Sequence, residues 1–365
     1  MHCWNRVFLV FLVAVLLGGH AAAYDYREAQ DAMENALTGE SRELLHGVSV
    51  GDDQTLLDQI LKIVENGAGE IRKSWTAGLA AITKVSVVAL LCGSAEGLRI
   101  ASGTEKEIPI LSAVGTLAIA SVVLLDLNGM MMLCRETIES VSVFSKTMIP
   151  VMAAAVSISG APARAAAMQA VTMLSLDLMI RMITGVLMPA VCIYLAIMTV
   201  NYALGQNILR RTGDFIVWLV KMILKASMTL FVSYLTISGI FSGSADGVAV
   251  KTAKAALSGM VPVVGGVISD ATESLLAGAA VIRRLTGVFG VFCIIAICLI
   301  PFVKMGINYL LFKGGTAVLS IFCSKEITGY LSALSDSFGM LLGMLGTCVA
   351  ILFFEIVFSI VLIGG

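Results

Sequence analysis

The succession of apolar stretches long enough, or nearly so, to cross a bilayer constrains this chain more than any other feature. They run over 77–96, 108–132, 168–187, 189–204, 227–241, 285–303, 306–323 and 338–363. A spanning helix needs roughly 20 apolar residues, and only helices or closed barrels satisfy every backbone polar group inside lipid. Composition agrees: 58% of the 365 residues are hydrophobic and 13% are charged, and the mean hydropathy is +0.95. A soluble domain carries about 25% charged residues. The expected fold is all-α, a polytopic helical membrane protein of about six to eight spans. The stretches 147–160 and 260–282 are short and broken enough to be re-entrant segments. Arg210-Arg211, Arg283-Arg284 and Lys304 are the best cytoplasmic markers, since basic residues favour the cytoplasmic side.

Ahead of this domain the composition changes twice. Residues 1–23 read as a cleavable signal peptide, with Arg6 before the apolar run 7–17 and Ala21-Ala22-Ala23 as the cleavage site. Residues 24–75 form an acidic segment expected on the translocated side. Asp25, Glu28, Asp31, Glu34, Glu40 and Glu43 lead it, and Leu56, Leu57, Ile60, Leu61, Ile63 and Val64 recur at helical spacing. It reads as two short amphipathic helices, too small to bury a core unaided and so expected to rest on the membrane domain or a partner. Residues 76–365 make up the multispanning domain.

Several functions are disfavoured on chemical grounds. A net charge of −1 supplies no basic stripe for nucleic acid. The chain shows no G-x-x-x-x-G-K-[ST] phosphate loop and no zinc pattern, so no cofactor or metal is expected. Cys92, Cys134, Cys192, Cys293, Cys298, Cys323 and Cys348 lie in or beside apolar runs with no C-x-x-C, and read as packing residues. His2, His20 and His46 all precede the membrane domain, which removes histidine acid–base chemistry from it. The best enzyme case, an intramembrane aspartyl protease built on Asp126 and Asp177, lacks the G-x-G-D context at both positions. The expectation is a non-enzyme.

Four groups of residues inside the domain invite a role. Asp177 and Arg181, spaced i, i+4, share a helix face and can pair. Arg210, Arg211, Lys221 and Lys225, with Trp218 among them, describe a basic face suited to a helix lying in the membrane interface. Gly339 and Gly343 form a G-x-x-x-G, which permits close helix approach within the chain or between copies. The fourth lies in KTAKAALSGMVPVVGGVISDATESLLAGAAVIRRLTGVFG, residues 251–290. Pro262 lacks an N–H, and Gly265-Gly266 are conformationally permissive, so a continuous helix should break or bend here. Asp270 and Glu273 follow at once, and carboxylates beside a break inside lipid mark a candidate gate. The competing reading of Pro262, Gly265 and Gly266 is a plain connector between two spans.

The phrase VPVVGG-hydrophobic-SDA, preceded by TAK and followed by a basic pair and GVFG, resembles the stage III sporulation protein AE family. The resemblance extends upstream through LTISGIF and ADGVAVKTAKAA and downstream to CLIPFVKM, and more weakly to TMIPVM and VLMPAVCIYL. It implies a membrane component of the mother-cell-to-forespore channel or secretion complex of an endospore-forming bacterium, acting after engulfment. The implied location is the mother-cell membrane surrounding the forespore. The implied partners are the other proteins of the stage III A operon, a separate ATPase among them, and a forespore-made protein across the intermembrane space. The lipid bilayer surrounds the chain, and self-association is compatible with the glycine motif. The resemblance assigns no catalytic residue. Without it, the residues leave open either a membrane scaffold whose partners supply energy or a stand-alone secondary transporter or channel with a broken-helix site around 260–273, though the chain shows no convincing internal repeat.

Overall fold

A computed structural model describes residues 26–48, 56–101, 110–158, 162–205, 208–260 and 265–361. The expected signal peptide lies outside the described residues. Among the described residues there is no strand, as the hydropathy requires. The helices are α1 (Tyr26–Asn35), α2 (Gly39–Leu44), α3 (Leu56–Ala101), α4 (Ile110–Ile158), α5 (Pro162–Met182), α6 (Met188–Ala203), α7 (Arg210–Met260), α8 (Gly265–Leu319) and α9 (Lys325–Val361), with a π turn at Ile183–Leu187 joining α5 to α6.

The centre of the bundle is the antiparallel hairpin of α8 and α9. Its register is held along its length. Tyr309 lies where a Cβ on Gly339 would meet it at 3.1 Å, and Ile356 lies 3.6 Å from the equivalent point at Gly290. The Ser335 hydroxyl donates to the Tyr309 carbonyl at 3.3 Å. Phe289, Phe292, Phe312, Tyr330 and Phe338 fill the core, all essentially inaccessible. The most apolar window of α8 is 61% buried, against 17% for that of α7. The hairpin is therefore the element that the others surround. The remaining long helices pack around it, α3 and α4 against α8, and α4, α6 and α7 against α9.

Six helical segments among the described residues are long and apolar enough to cross a membrane: Leu57–Ala95, Ala113–Ala154, Ala165–Ala203, Arg210–Ile237, Leu285–Leu319 and Lys325–Ser359. The chain is thus a multi-pass membrane protein at the low end of the expected count, because two pairs of expected spans are each one helix. The runs 168–187 and 189–204 join through the π turn. Pro189 cannot donate a backbone hydrogen bond, and the wider turn just before it lets the helix continue. The runs 285–303 and 306–323 join because α8 passes through Pro301 and Lys304 unbroken; Asn308 Nδ2 donates to the Lys304 carbonyl at 2.8 Å, so this polar side chain is satisfied within the helix. The stretch 147–160 is not re-entrant as far as Ile158: with Pro150 inside, it is the last part of α4.

The acidic segment lies on the bundle. Met33, Leu37, Leu44 and Leu45 belong to the same core as the hairpin, with α1 against α4 and α8 and α2 against α3 and α8. Asn66 Nδ2 of α3 donates to the carbonyls of Leu44 (3.0 Å) and His46 (3.2 Å), and Gly47 turns the chain at φ 77°. Where two short helices were expected, the segment holds α1, α2 and the first part of α3, with no helix end near position 75. The 46-residue α3 runs through that position without a break, so the change from acidic to apolar composition falls inside one helix.

Candidate functional site

The expected gate lies at the junction of two long helices. α7 ends at Met260 and α8 begins at Gly265. Pro262 lies between them, outside the described residues. Gly265, Gly266, Asp270 and Glu273 occupy the first turns of α8, and their side chains lie outside the described residues.

The ion pair forms as its spacing dictates: Arg181 Nε donates to Asp177 Oδ2 at 2.8 Å. Both side chains face outward, 77% and 56% exposed. An outward pair in a segment of spanning length is stabilised mainly by mutual neutralisation. Reversing either charge leaves two like charges one turn apart, so Asp177→Arg or Arg181→Asp should lower the amount of protein in the membrane. The double reversal should restore most of it, measured by immunoblot of the membrane fraction. A double variant as poor as the singles would assign the residues a positional role instead.

The basic residues are spread along α7. Arg210 borders a polar cleft of about 420 Å³ with Tyr202 of α6, Thr316 of α8, and Lys325, Glu326 and Ser332 of α9. Asn201 Oδ1 accepts the Leu209 N–H at 3.1 Å and fixes the turn into α7. Arg211 is exposed beside it. Lys221 and Lys225 lie roughly three to four turns further along and are exposed, while Val220, Leu224, Phe231 and Leu235 of the same helix are buried. The segment expected to lie along the interface therefore packs lengthwise in the bundle, with its lysines on the outer face.

The two glycines of the G-x-x-x-G serve different neighbours. A Cβ on Gly339 would meet Tyr309 of α8 at 3.1 Å, and one on Gly343 would meet Leu224 of α7 at 3.3 Å. Within one chain, the motif brings α9 close to two partner helices.

These positions mark heights on the bundle. Cys134 of α4 lies against Leu341 of α9, at 3.7 Å from sulfur to carbonyl oxygen, and Leu224 lies against Gly343. The Arg135–Glu139 pair (3.1 Å) and Lys221 and Lys225 therefore occupy one waist. Asp177 and Arg181 fall on α5 and its continuation between Thr172, which interacts with Glu355, and Cys192, which meets Met131. That places the pair next to this waist, on the side toward Glu355. Helices of this length exceed a hydrocarbon core of ~30 Å; a girdle of outward charge is the part of the bundle least suited to lipid.

One residue escaped the sequence reading. Glu355 stands in the apolar run 338–363 and is 3% exposed. A lone carboxylate inside a spanning stretch was the available signal.

The model of the family described as stage III sporulation protein AE matches residues 40–365. The stage III sporulation protein AE of Bacillus subtilis (strain 168) is 22% identical over 202 residues, which cover 55% of this chain and 51% of that protein. The match thus spans about half the length of the curated relative. No solved structure matches. The family match takes in every described helix from α3 to α9 together with α2 from its second residue, so the chain belongs to the stage III sporulation protein AE family.

Proposed function

We propose that this stage III sporulation protein is a membrane component of the channel or secretion complex between mother cell and forespore, acting after engulfment. The observation that carries the reading is the family match across 40–365, the whole multispanning bundle. In this reading the chain sits in the mother-cell membrane around the forespore, with the acidic α1–α2 segment in the intermembrane space. It works as a scaffold or wall without catalysing a reaction. Energy comes from a separate ATPase of the same operon, and a forespore-made protein completes the conduit.

The six apolar helices fit a multi-pass wall. The long α8–α9 hairpin, buried among the other helices, fits a rigid frame against which partners dock. The test is purification of a tagged chain from detergent extracts of sporulating cells, combined with imaging of a fluorescent fusion. Recovery of the operon-encoded ATPase and a signal confined to the membrane around the forespore are expected. A chain spread over the whole cell membrane and purified without those partners would contradict the proposal.

A further inference from the structure

Helical threonines in this bundle share a habit. Thr83, Thr137, Thr184, Thr199, Thr229, Thr236, Thr316 and Thr347 each donate Oγ1 to the carbonyl four residues earlier. Thr172 of α5 and Thr286 of α8 do not, although they are 0% and 1% exposed, and Ser359 of α9, 2% exposed, makes no hydrogen bond either. Glu355 Oε2 is equally without a partner. Buried polar groups are normally bonded, and each exception calls for an explanation.

These four lie close together in the fold. The Thr172 hydroxyl interacts with the Glu355 carboxyl across the α5–α9 contact. Ser359 lies one turn beyond Glu355 on the same face of α9. Thr286 lies one turn before Gly290, and Gly290 packs against Ile356 of α9 and Met148 of α4. Because α8 and α9 run antiparallel, Thr286 falls at the height of Ser359. A carboxylate and three hydroxyls, from three helices, thus lie within two successive turns of the core, Thr172 beside Glu355 and Thr286 at the height of Ser359.

No described charged side chain neutralises this carboxylate. Lys146 of α4 and Lys225 of α7 are exposed, and Asp177 and Arg181 of α5 bond each other. Among the described side chains, α8 carries no charge before Lys304, and α9 carries none between Asp336 and Glu355. The side chains of Arg164 of α5 and of Arg283 and Arg284 of α8 lie outside the described residues. A lone buried carboxylate is costly unless something positive accompanies it. The donors are all hard oxygens, which suit a proton or an alkali-metal ion, and a single negative charge matches a single positive one.

We propose that Glu355, Thr172, Thr286 and Ser359 form a buried site for one monovalent cation, taken up as a proton on the carboxyl or as a sodium ion among the four oxygens. The site stands independently of the conduit reading. The test uses the full-length protein, purified in detergent. Infrared difference spectra of wild type against Glu355→Gln are recorded in sodium-free choline buffer and again with sodium, alongside binding of radioactive sodium. A protonated-carboxyl band that Glu355→Gln removes, and that sodium leaves in place, identifies the proton. Saturable sodium binding that Glu355→Gln abolishes identifies sodium. In the second case Thr286→Val and Ser359→Ala should each weaken binding about tenfold, the loss expected for one ligating contact. In the first case, Thr172→Val should shift the carboxyl band. Should Glu355→Gln fail to accumulate, these hydroxyl variants carry the test. An ionised Glu355 in sodium-free buffer with no sodium binding, or hydroxyl variants indistinguishable from wild type, would overturn the site.

Discussion

Tyr330→Ala should empty the membrane fraction of this protein. Tyr330 is the largest fully buried side chain among the described residues. Its hydroxyl is hydrogen-bonded to that of Thr199 at 3.2 Å, and its ring meets Tyr202 edge-on at 6.5 Å between centroids. The residue thereby joins the hairpin to α6 near the end of α6. Truncating a buried aromatic costs about 3–5 kcal/mol, a large part of the 5–15 kcal/mol that holds a typical folded protein. Tyr330→Phe keeps the ring and loses only the hydrogen bond, about 1 kcal/mol. Immunoblots of membranes and thermal denaturation in detergent should show the alanine variant scarce or strongly destabilised and the phenylalanine variant close to wild type. An alanine variant of normal abundance and stability would show that the hairpin is not the frame of the bundle.

Gly265→Leu should do the opposite, leaving the protein in the membrane and removing its function. Gly265 is the first residue of α8, directly after the interval 261–264 that contains Pro262. A leucine at a helix start is compatible with the helix and adds bulk at the junction. If the junction shapes a gate together with Gly266, Asp270 and Glu273, that bulk should reduce sporulation to the level of a deletion strain while immunoblots show unchanged accumulation. Normal sporulation by the variant would leave 261–264 as a plain connector.

The all-helical membrane architecture was legible from hydropathy because lipid leaves so few alternatives. So was the dependence of the acidic segment on other surfaces, since α1 and α2 have little to pack on but α3, α4 and α8. The joining of spans was not. Pro189 and Lys304 stand where one expected span gives way to the next, yet the π turn carries the helix past Pro189, and Asn308 is satisfied by the Lys304 carbonyl. Local composition marks where a helix is weakened; the packing of its neighbours decides whether it breaks. Asp177–Arg181 was readable because both partners lie one turn apart on one helix. The Glu355 cluster was not, because Thr172 and Thr286 come from other helices and only the three-dimensional register brings them to successive turns beside Glu355 and Ser359.

Deletion of the gene in its native sporulating host, with forespore size and a late forespore reporter followed after engulfment, tests the conduit most directly. A conduit component should leave small forespores and a silent reporter once engulfment is complete, both restored by the intact gene. Forespores of normal size with full reporter expression would contradict it, and would leave a stand-alone transporter or channel working around 260–273 as the reading of this bundle.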